Sequence, residues 1–357
     1  MLKSLLISLV VVAGAFTLAK LFEKNSVVPN TKNLQNLSVP SSVPSPGIAI
    51  GIYQPQQDTS GKAIDRYISE VGRKPAFAWL PTNWRHIDGR YQKFYPSMLE
   101  EFRIRGIMPG MTWGPSKGST ESYADRQEAI NQTEFSWKEI ASGRHDEYLT
   151  QFAKDAAAYN FPFLLRPLHE MDGTWYPWGY SVNGNTNPAD FVAAWKHIVD
   201  IFRKENATNV QFVWCPSVIN ADLIQKYGDT LKQIYPGDDY VDWIGLDGYS
   251  TSKNNWKSLQ DIFKPSYDFI TKFSDRPVIL WEVGMMENPA DPDAKANWIQ
   301  EGFLNVIPNL LPKVKMVVWF NSRDGSGRDH RIQTSQNAIN SWKRVVESPL
   351  YQGSFFQ

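Results

Sequence analysis

This chain of 357 residues has a single cysteine and no net charge. Its one thiol, Cys215, excludes an intramolecular disulfide, and its apolar setting in "VQFVWCPS" favours a packed small side chain over a nucleophile. Lys+Arg and Asp+Glu are both 37, so the formal net charge is zero. Because nucleic-acid-binding proteins usually carry a basic face, the balanced charge predicts no nucleic-acid partner.

Long apolar runs are missing after the N-terminus, where one such run, Leu5–Ala19, is flanked by lysines. Its length is typical of a signal-peptide core and short for a comfortable membrane span. We therefore expect residues 1–22 to be a signal peptide or an uncleaved anchor, with residues 2–22 as the membrane tether in the second case. Residues 23–46, rich in Ser, Pro and Asn, predict a linker. The protein is expected to be exported: secreted, periplasmic or anchored to the outer face of the membrane.

Aromatic residues, in contrast, are abundant: 14 Trp, 15 Tyr and 19 Phe make up 13% of the chain. Indole is large and carries a donor that needs a partner when it is buried, so this many Trp exceed what a core normally uses. Sugar-binding clefts use such rings, because the C–H faces of pyranoses pack on them. A large aromatic-rich core explains the composition equally well.

Eight short apolar runs alternate with amphipathic stretches after Gly47, which predicts a single α/β domain, a (β/α)₈ barrel over residues 47–351. A doubly wound sheet usually shows a glycine-rich first turn, and "GIYQPQQDTSGK" contains no GxGxxG. The predicted strands are Ile48–Tyr53, Ala76–Leu80, Ile107–Thr112, Phe163–Leu168, Val210–Cys215, Trp243–Leu246, Val278–Trp281 and Lys315–Phe320. The predicted helices are Lys62–Val71, Ser97–Arg105, Asp146–Tyr159, Pro188–Lys204, Ser258–Lys272, Asp293–Asn305 and Ser335–Val346.

Functional side chains of such a barrel lie at the C-terminal ends of the strands. Those ends hold carboxylates and aromatic rings but no lysine, which disfavours Schiff-base chemistry. Glu170 after strand 4 and Glu282 after strand 7 are 112 residues apart in sequence, and only the barrel can bring them together. Hydrolysis of a glycosidic bond needs such a pair, one protonated and one ionised. Gly284 is expected to give a bend and room for substrate.

Two other functions are compatible with these residues. His169 could ligate a metal together with Asp172, Asp247 or His330, but the spacing is not HExxH, and we expect no metal and no cofactor. The fold could also belong to a non-catalytic carbohydrate-binding barrel. The presence of both glutamates favours an enzyme over this second alternative.

The segment "RPLHEMDGTWYPWG" resembles the RPxHEMNGxWxxWG motif of glycoside hydrolase family 26. The resemblance continues in "YPGDDYVDWIGLDGY", "PVILWEVG" and "VVWFN" and covers nearly everything after Gly47. It implies a (β/α)₈ barrel that acts as a retaining endo-β-glycanase, a monomer whose partner is a polysaccharide or oligosaccharide. Most members of the family cut β-1,4-mannan, which is therefore the expected substrate, and some cut mixed-linkage β-glucan or β-1,3-xylan.

By motif position, the resemblance makes Glu170 the acid/base and Glu282 the nucleophile. His169 is expected to contact the reacting sugar, and Tyr249 to hydrogen-bond the nucleophile. The remaining implied roles are these: Trp175 lines the subsites beside the cut, Trp319 stacks under the reacting sugar, Trp178 and Trp113 bind substrate, Arg166 pairs with a carboxylate below the site, and Asp172 and Asp247 support it.

The chain departs from the family pattern at two places. Asp172 replaces the asparagine that follows HEM, and its charge near Glu170 could raise the pKa of that glutamate. Alternatively, Asp172 bonds backbone amides of the "DGTW" turn. Many mannanases carry a histidine just after strand 3, where this chain has Trp113 and Gly114. The second departure leaves a glucanase as an alternative to a mannanase.

Overall fold

The computed structural model describes residues 47–55, 61–119 and 122–354, and the predicted leader and linker lie outside them. Eight parallel strands follow each other around a closed sheet, in which the first strand pairs with both the second and the eighth. A helix follows each strand along the chain, so the predicted (β/α)₈ barrel is confirmed. The strands are β1 Ile48–Tyr53, β2 Phe77–Arg85, β3 Met108–Lys117, β4 Phe163–Pro167, β5 Val210–Trp214, β6 Trp243–Ser250, β7 Val278–Met285, β8 Val314–Phe320 and a short β9 Tyr351–Gln352 that pairs with β1.

Helices pack around the barrel, and three of the predicted ones have the predicted bounds. The helices are α1 Lys62–Val71, α2 Pro96–Arg103, α3 Arg126–Ile130, α4 Trp137–Ala141, α5 Asp146–Tyr159, α6 Pro188–Lys204, α7 Ala221–Ile234, α8 Leu259–Ile270, α9 Ala294–Glu301, α10 Ile307–Leu310 and α11 Gln336–Glu347. In the part of the chain described, no helix is long and apolar enough to cross a membrane.

Side chains of each strand alternate between two apolar layers. One layer fills the barrel and includes Phe77, Trp79 and Trp281. The other faces the helices and includes Trp113 and Trp319. This alternation follows from the period of two in a β-strand, and it decides which ring at a strand end can reach the cleft.

Strand β7 carries one more residue than its neighbours at its centre. Leu280 pairs with Leu246 of β6, but the next pair is Asp247 with Glu282, so Trp281 has no counterpart. The register with β8 shifts over the same stretch. A bulge of this kind re-aims side chains and is frequent beside active sites. Here it lets Trp281 fill the barrel while Glu282, the next residue, reaches the cleft.

Candidate active site

A cleft of about 1160 Å³ lies at the C-terminal ends of the strands. It brings together most of the side chains that the sequence nominated. Those that line it are Arg166, His169, Glu170, Trp175, Trp178, Asp247, Tyr249 and Glu282.

Glu170 lies beyond the end of β4, which stops at Pro167 rather than continuing to the glutamate. The chain turns there through two left-handed residues, Leu168 with φ 51° and Glu170 with φ 50°. The turn is fixed because Leu168 is fully buried and the Glu170 amide donates to the Cys215 carbonyl at 2.8 Å. Non-glycine residues in this conformation cost energy and concentrate at functional sites.

The carboxyl of Glu170 has an environment that favours its protonated form. Burial, followed by the charge of Glu282, raises its pKa to about 7. The indole Nε1 of Trp175 donates to Glu170 Oε2 at 2.6 Å and fixes the carboxyl's orientation. A carboxyl that keeps its proton near neutral pH has the property required of a general acid.

Glu282, across the cleft, is surrounded by hydrogen-bond donors. The Arg166 guanidinium donates to its Oε1, and the Tyr249 hydroxyl donates to its Oε2. Donors on both oxygens fix the orientation of this carboxylate. The two glutamates therefore differ in their surroundings, one held by a single indole donor and the other by a guanidinium and a phenol.

Arg166 is fully buried inside the barrel, where its guanidinium lies 5.0 Å from the ring centres of both Trp79 and Trp281. It donates to Asp247 Oδ2 at 2.5 Å and to Thr112 Oγ1 at 2.9 Å. Burial alone would lower the pKa of Arg166, but the neighbouring carboxylates outweigh burial and raise it well above its usual range. The cation is permanent and holds the floor of the site together.

His169 is 7% exposed and lines the cleft beside Glu170. Burial, together with the charge of Arg166, lowers its pKa well below the usual value, so the imidazole is neutral. Its carbonyl accepts from the indole Nε1 of Trp178 at 2.7 Å. Tyr176 stacks on Trp178 at 4.4 Å between ring centres, and this pair forms one aromatic wall of the cleft.

Trp319 lies outside the cleft, so its ring is not placed to stack under the reacting sugar as predicted. It is fully buried on the helix-facing side of β8, against Trp298, Phe303 and Trp342. Its indole Nε1 donates to the His330 carbonyl at 3.0 Å. The prediction failed because alternation along β8 turns the next residue, not Trp319, into the barrel.

Trp113 is likewise directed away from the cleft. It stacks on Phe152 at 4.4 Å between ring centres and donates to the Tyr148 hydroxyl at 3.0 Å. Strand β3 continues to Lys117, so Trp113 is an outward-facing strand residue rather than a residue of the following loop. Its predicted role in substrate binding is wrong for the same reason as that of Trp319.

Other aromatic rings line the cleft that the sequence did not single out. Phe320 stacks on Tyr53 at 4.9 Å, and Tyr53 stacks on Trp79 at 4.2 Å. They come from β8, β1 and β2 and form an apolar floor of the cleft. Counting inward-facing positions along β8 from the buried Val318 would have found Phe320.

Asp172 does not line the cleft, and its carboxylate accepts from its own backbone amide as well as from the neighbouring loop. Its Oδ1 accepts from the Ser217 amide at 2.9 Å, which ties the loop after β4 to the end of β5. Burial raises its pKa to about 6. Its charge also contributes, as the smallest of several causes, to the raised pKa of Glu170.

Metal ligation was considered for His169 with Asp172, Asp247 or His330. Among the residues that the structure describes, no group of three or more His, Cys, Asp or Glu side chains is placed to hold a metal ion. Asp247 is bound instead to Arg166 and accepts from the Cys215 thiol at 3.3 Å.

A (β/α)₈ barrel with a glutamate of raised pKa after β4 and a donor-bound glutamate on β7 has the architecture of a glycoside hydrolase. The family model described as glycosyl hydrolase family 26 matches residues 106–278. The chain is similar to this family over that stretch, which is just under half of its length.

Relatives of several substrate types match the chain. It is 36% identical over 220 residues, 60% of its length, to "Endoglucanase H" of Acetivibrio thermocellus, and covers 23% of that protein. It is 28% identical over 163 residues, 44% of its length, to "Mannan endo-1,4-beta-mannosidase" of Bacillus subtilis strain 168, and covers 39% of it. The chain thus spans well under half the length of these two relatives.

Solved structures of family 26 enzymes share the fold. A family 26 β-mannanase from Bacteroides ovatus superimposes with a TM-score of 0.59 at 19% identity, over 86% of this chain and 90% of that one. At this identity the likeness establishes the barrel and not the substrate.

Proposed function

We propose that the protein is a retaining endo-β-glycanase in which Glu170 is the acid/base and Glu282 the nucleophile. The observation that carries this proposal is the contrast between the two glutamates of one cleft. Burial keeps Glu170 protonated near neutral pH, whereas Glu282 accepts from Arg166 and Tyr249. A non-catalytic carbohydrate-binding barrel has no need of this contrast.

The reaction proceeds in two displacements. In the first, the Glu282 carboxylate attacks the anomeric carbon, the glycosidic C–O bond breaks, and Glu170 gives its proton to the departing oxygen. In the second, ionised Glu170 takes a proton from water, which attacks the same carbon and breaks the ester bond to Glu282. Both glutamates then return to their starting protonation states.

Arg166 and Tyr249 hold Glu282 for this attack and accept the change in charge as the ester forms. Trp175 orients the Glu170 carboxyl toward the leaving oxygen through its hydrogen bond to Oε2. The Tyr176–Trp178 wall and the Tyr53–Phe320 floor offer flat apolar faces to sugar rings. Neutral His169 supplies hydrogen-bonding capacity beside the reacting carbon.

β-1,4-Mannan is the proposed substrate, in keeping with the family resemblance and with the mannosidases among the relatives. Mixed-linkage β-1,3-1,4-glucan is the second candidate, favoured by one structural observation. A Cβ on Gly114 would lie 2.7 Å from the Trp178 ring, and Trp113 faces the core. The histidine that many mannanases carry after the third strand therefore has no equivalent here.

A substrate panel tests these proposals. Purified protein is incubated with β-1,4-mannan, mixed-linkage β-glucan, β-1,3-xylan and cellulose, and product sizes are followed by chromatography. Early products of many lengths from mannan support an endo-mannanase, and the same pattern from mixed-linkage glucan alone supports the second candidate. No turnover on any β-glycan, with binding retained, would favour the carbohydrate-binding barrel.

We also propose that residues 1–22 direct export, either as a cleaved signal peptide or as a tether. Fractionation of expressing cells, with mass determination of the mature protein, distinguishes the two outcomes. A full-length chain in the soluble cytosolic fraction would contradict both. Gel filtration of the mature protein tests the proposed monomer.

A further inference from the structure

The loop after β8, residues 321–331, folds on itself beside the cleft. Asp324 is its centre: it accepts from the Ser326 amide at 2.8 Å and from Arg328 Nε at 2.5 Å. The His330 amide donates to the Ser322 carbonyl at 3.0 Å, which closes the loop. The fold of this loop delivers the His330 side chain back toward the barrel.

His330 is fully buried, and its ring fills the space between three strands. Its ring centre lies 4.7 Å from that of Tyr249 on β6, at 39° between planes, and 6.1 Å from that of Phe320 on β8. A Cβ on Gly284 of β7 would lie 3.1 Å from His330 Cβ. The glycine was expected to make room for substrate, but the structure fills that space with His330.

The buried ring of His330, which we call the wedge, packs against Tyr249. Its hydroxyl donates to Glu282 Oε2, and its ring packs on His330 and edge-to-face on Phe320, 5.5 Å away. The tyrosine hydroxyl lies at the far side of the ring from Cβ, so a small rotation of the side chain about its Cα–Cβ bond moves the donor off the carboxylate. The hydrogen bond to Glu282 therefore depends on what supports the ring.

His330 itself does not line the cleft. Its Nε2 lies 3.4 Å from Asp324 Oδ2, and its Nδ1 has no hydrogen-bond partner among the residues described. Burial lowers the pKa of His330 despite the opposing effect of Asp324, while Arg328 and Lys295 also act to lower it. A neutral ring packs against Tyr249 without adding a charge next to Glu282.

We infer that His330 is a positioning residue that keeps the Tyr249 hydroxyl on the nucleophile, with Asp324 orienting the imidazole. This inference rests on the proposed function. It assigns no contact between His330 and substrate, so its removal should change turnover rather than substrate binding.

The test compares His330→Ala, Tyr249→Phe and the double variant on the substrate found by the panel. We expect His330→Ala to lower kcat about tenfold and leave KM within about twofold. Tyr249→Phe, which deletes the donor itself, should lower kcat about 100-fold. The double variant should match Tyr249→Phe, because the wedge has nothing left to position. Additive losses would overturn the inference.

The split between kcat and KM supplies a readout that a general loss of packing would not give. Glu282 accepts from Arg166 and Tyr249, and His330 packs against Tyr249 without lining the cleft. The loss in His330→Ala should therefore fall on kcat, with KM within about twofold of wild type. A rise in KM that accounts for the loss in kcat/KM would contradict the positioning role.

His197→Ala is the matched control, because His197 lies outside the cleft and bonds Asp146 Oδ1 at 2.6 Å. It should leave both kcat and KM unchanged. If His330→Ala unfolds below assay temperature, His330→Asn removes the ring, keeps a donor for Asp324 and is measured in the same way. A crystal structure separates failure of this inference from failure of the proposed function. In His330→Ala or His330→Asn, the Tyr249 hydroxyl should be displaced from Glu282. An undisplaced Tyr249 rejects the positioning role of His330 whatever the substrate.

Discussion

Asp247 Oδ2 and Arg166 Nη1 lie 2.5 Å apart, and both side chains are completely buried. The same guanidinium donates through its other terminal nitrogen to Glu282. One cation thus binds the carboxylate of Asp247 below the site and that of Glu282 in the cleft. The Asp247–Arg166 pair therefore affects both the stability of the barrel and the position of the Glu282 carboxylate.

Asp247→Ala is therefore expected to destabilise the fold as well as the site. Removing one partner leaves a buried guanidinium with less compensation, and the free energy of unfolding should fall by about 3–5 kcal/mol. Urea unfolding of wild type and variant measures the change. Asp275→Ala is the control, since Asp275 pairs with Lys313 at the surface with a 97% exposed side chain, and it should unfold close to wild type. Equal stabilities for the two variants would refute the prediction.

Glu282→Ala and Glu170→Ala should each lose about 10³-fold or more in kcat on the polysaccharide while remaining folded. Azide separates their roles, because it attacks without a general base. It should rescue Glu170→Ala on a substrate with a good leaving group and give a β-glycosyl azide. In Glu282→Ala, azide replaces the nucleophile and should give the α-anomer. If either variant keeps near-normal turnover, the role assigned to the glutamate that it lacks is wrong.

Hydrolysis should retain the anomeric configuration. Retention requires the two carboxyl groups to be about 5–5.5 Å apart, against roughly 6.5–9.5 Å for inversion. Proton NMR of the first product from a β-linked oligosaccharide decides between them. A β-anomer that later mutarotates is expected, and an α-anomer formed first would exclude the double displacement.

The alkaline limb of kcat/KM should fall near pH 7, where Glu170, with a pKa raised to about 7, loses the proton that it must donate. Ionised Asp172 contributes to that elevation, so Asp172→Asn should move the limb to lower pH. The shift should be small, because burial and Glu282 are the larger causes. Superimposable limbs would show that Asp172 acts only through its bond to the Ser217 amide.

Much of this site was predictable because the active sites of (β/α)₈ barrels lie at the C-terminal ends of the strands. The apolar runs before Glu170 and Glu282 placed both glutamates at one end of the barrel, and the structure brings both into one cleft. The resemblance to family 26 added the expectation that Tyr249 contacts the nucleophile. The first inference needed only the order of the elements, and the second needed the motif match as well.

What could not be predicted depends on register and on local turns. Trp319 and Phe320 are adjacent, and only the count of inward-facing positions distinguishes them. Helix α7 was missed although Asn220 caps it, since its exposed Leu223 and Tyr227 weaken the apolar stripe. The left-handed turn at Glu170 follows from tertiary packing rather than from any local preference for that conformation.

Strand β7 shows what one additional residue achieves. In a regular strand, Trp281 and Glu282 would face opposite sides, and Glu282 could reach the cleft only if the Trp281 ring left the barrel interior. The extra residue frees consecutive positions from that rule, so Trp281 packs against Arg166 while the neighbouring Glu282 lines the cleft. A transplant of this site onto another barrel must therefore copy the length of the seventh strand, because the right side chains on a regular strand would point the carboxylate into the helices.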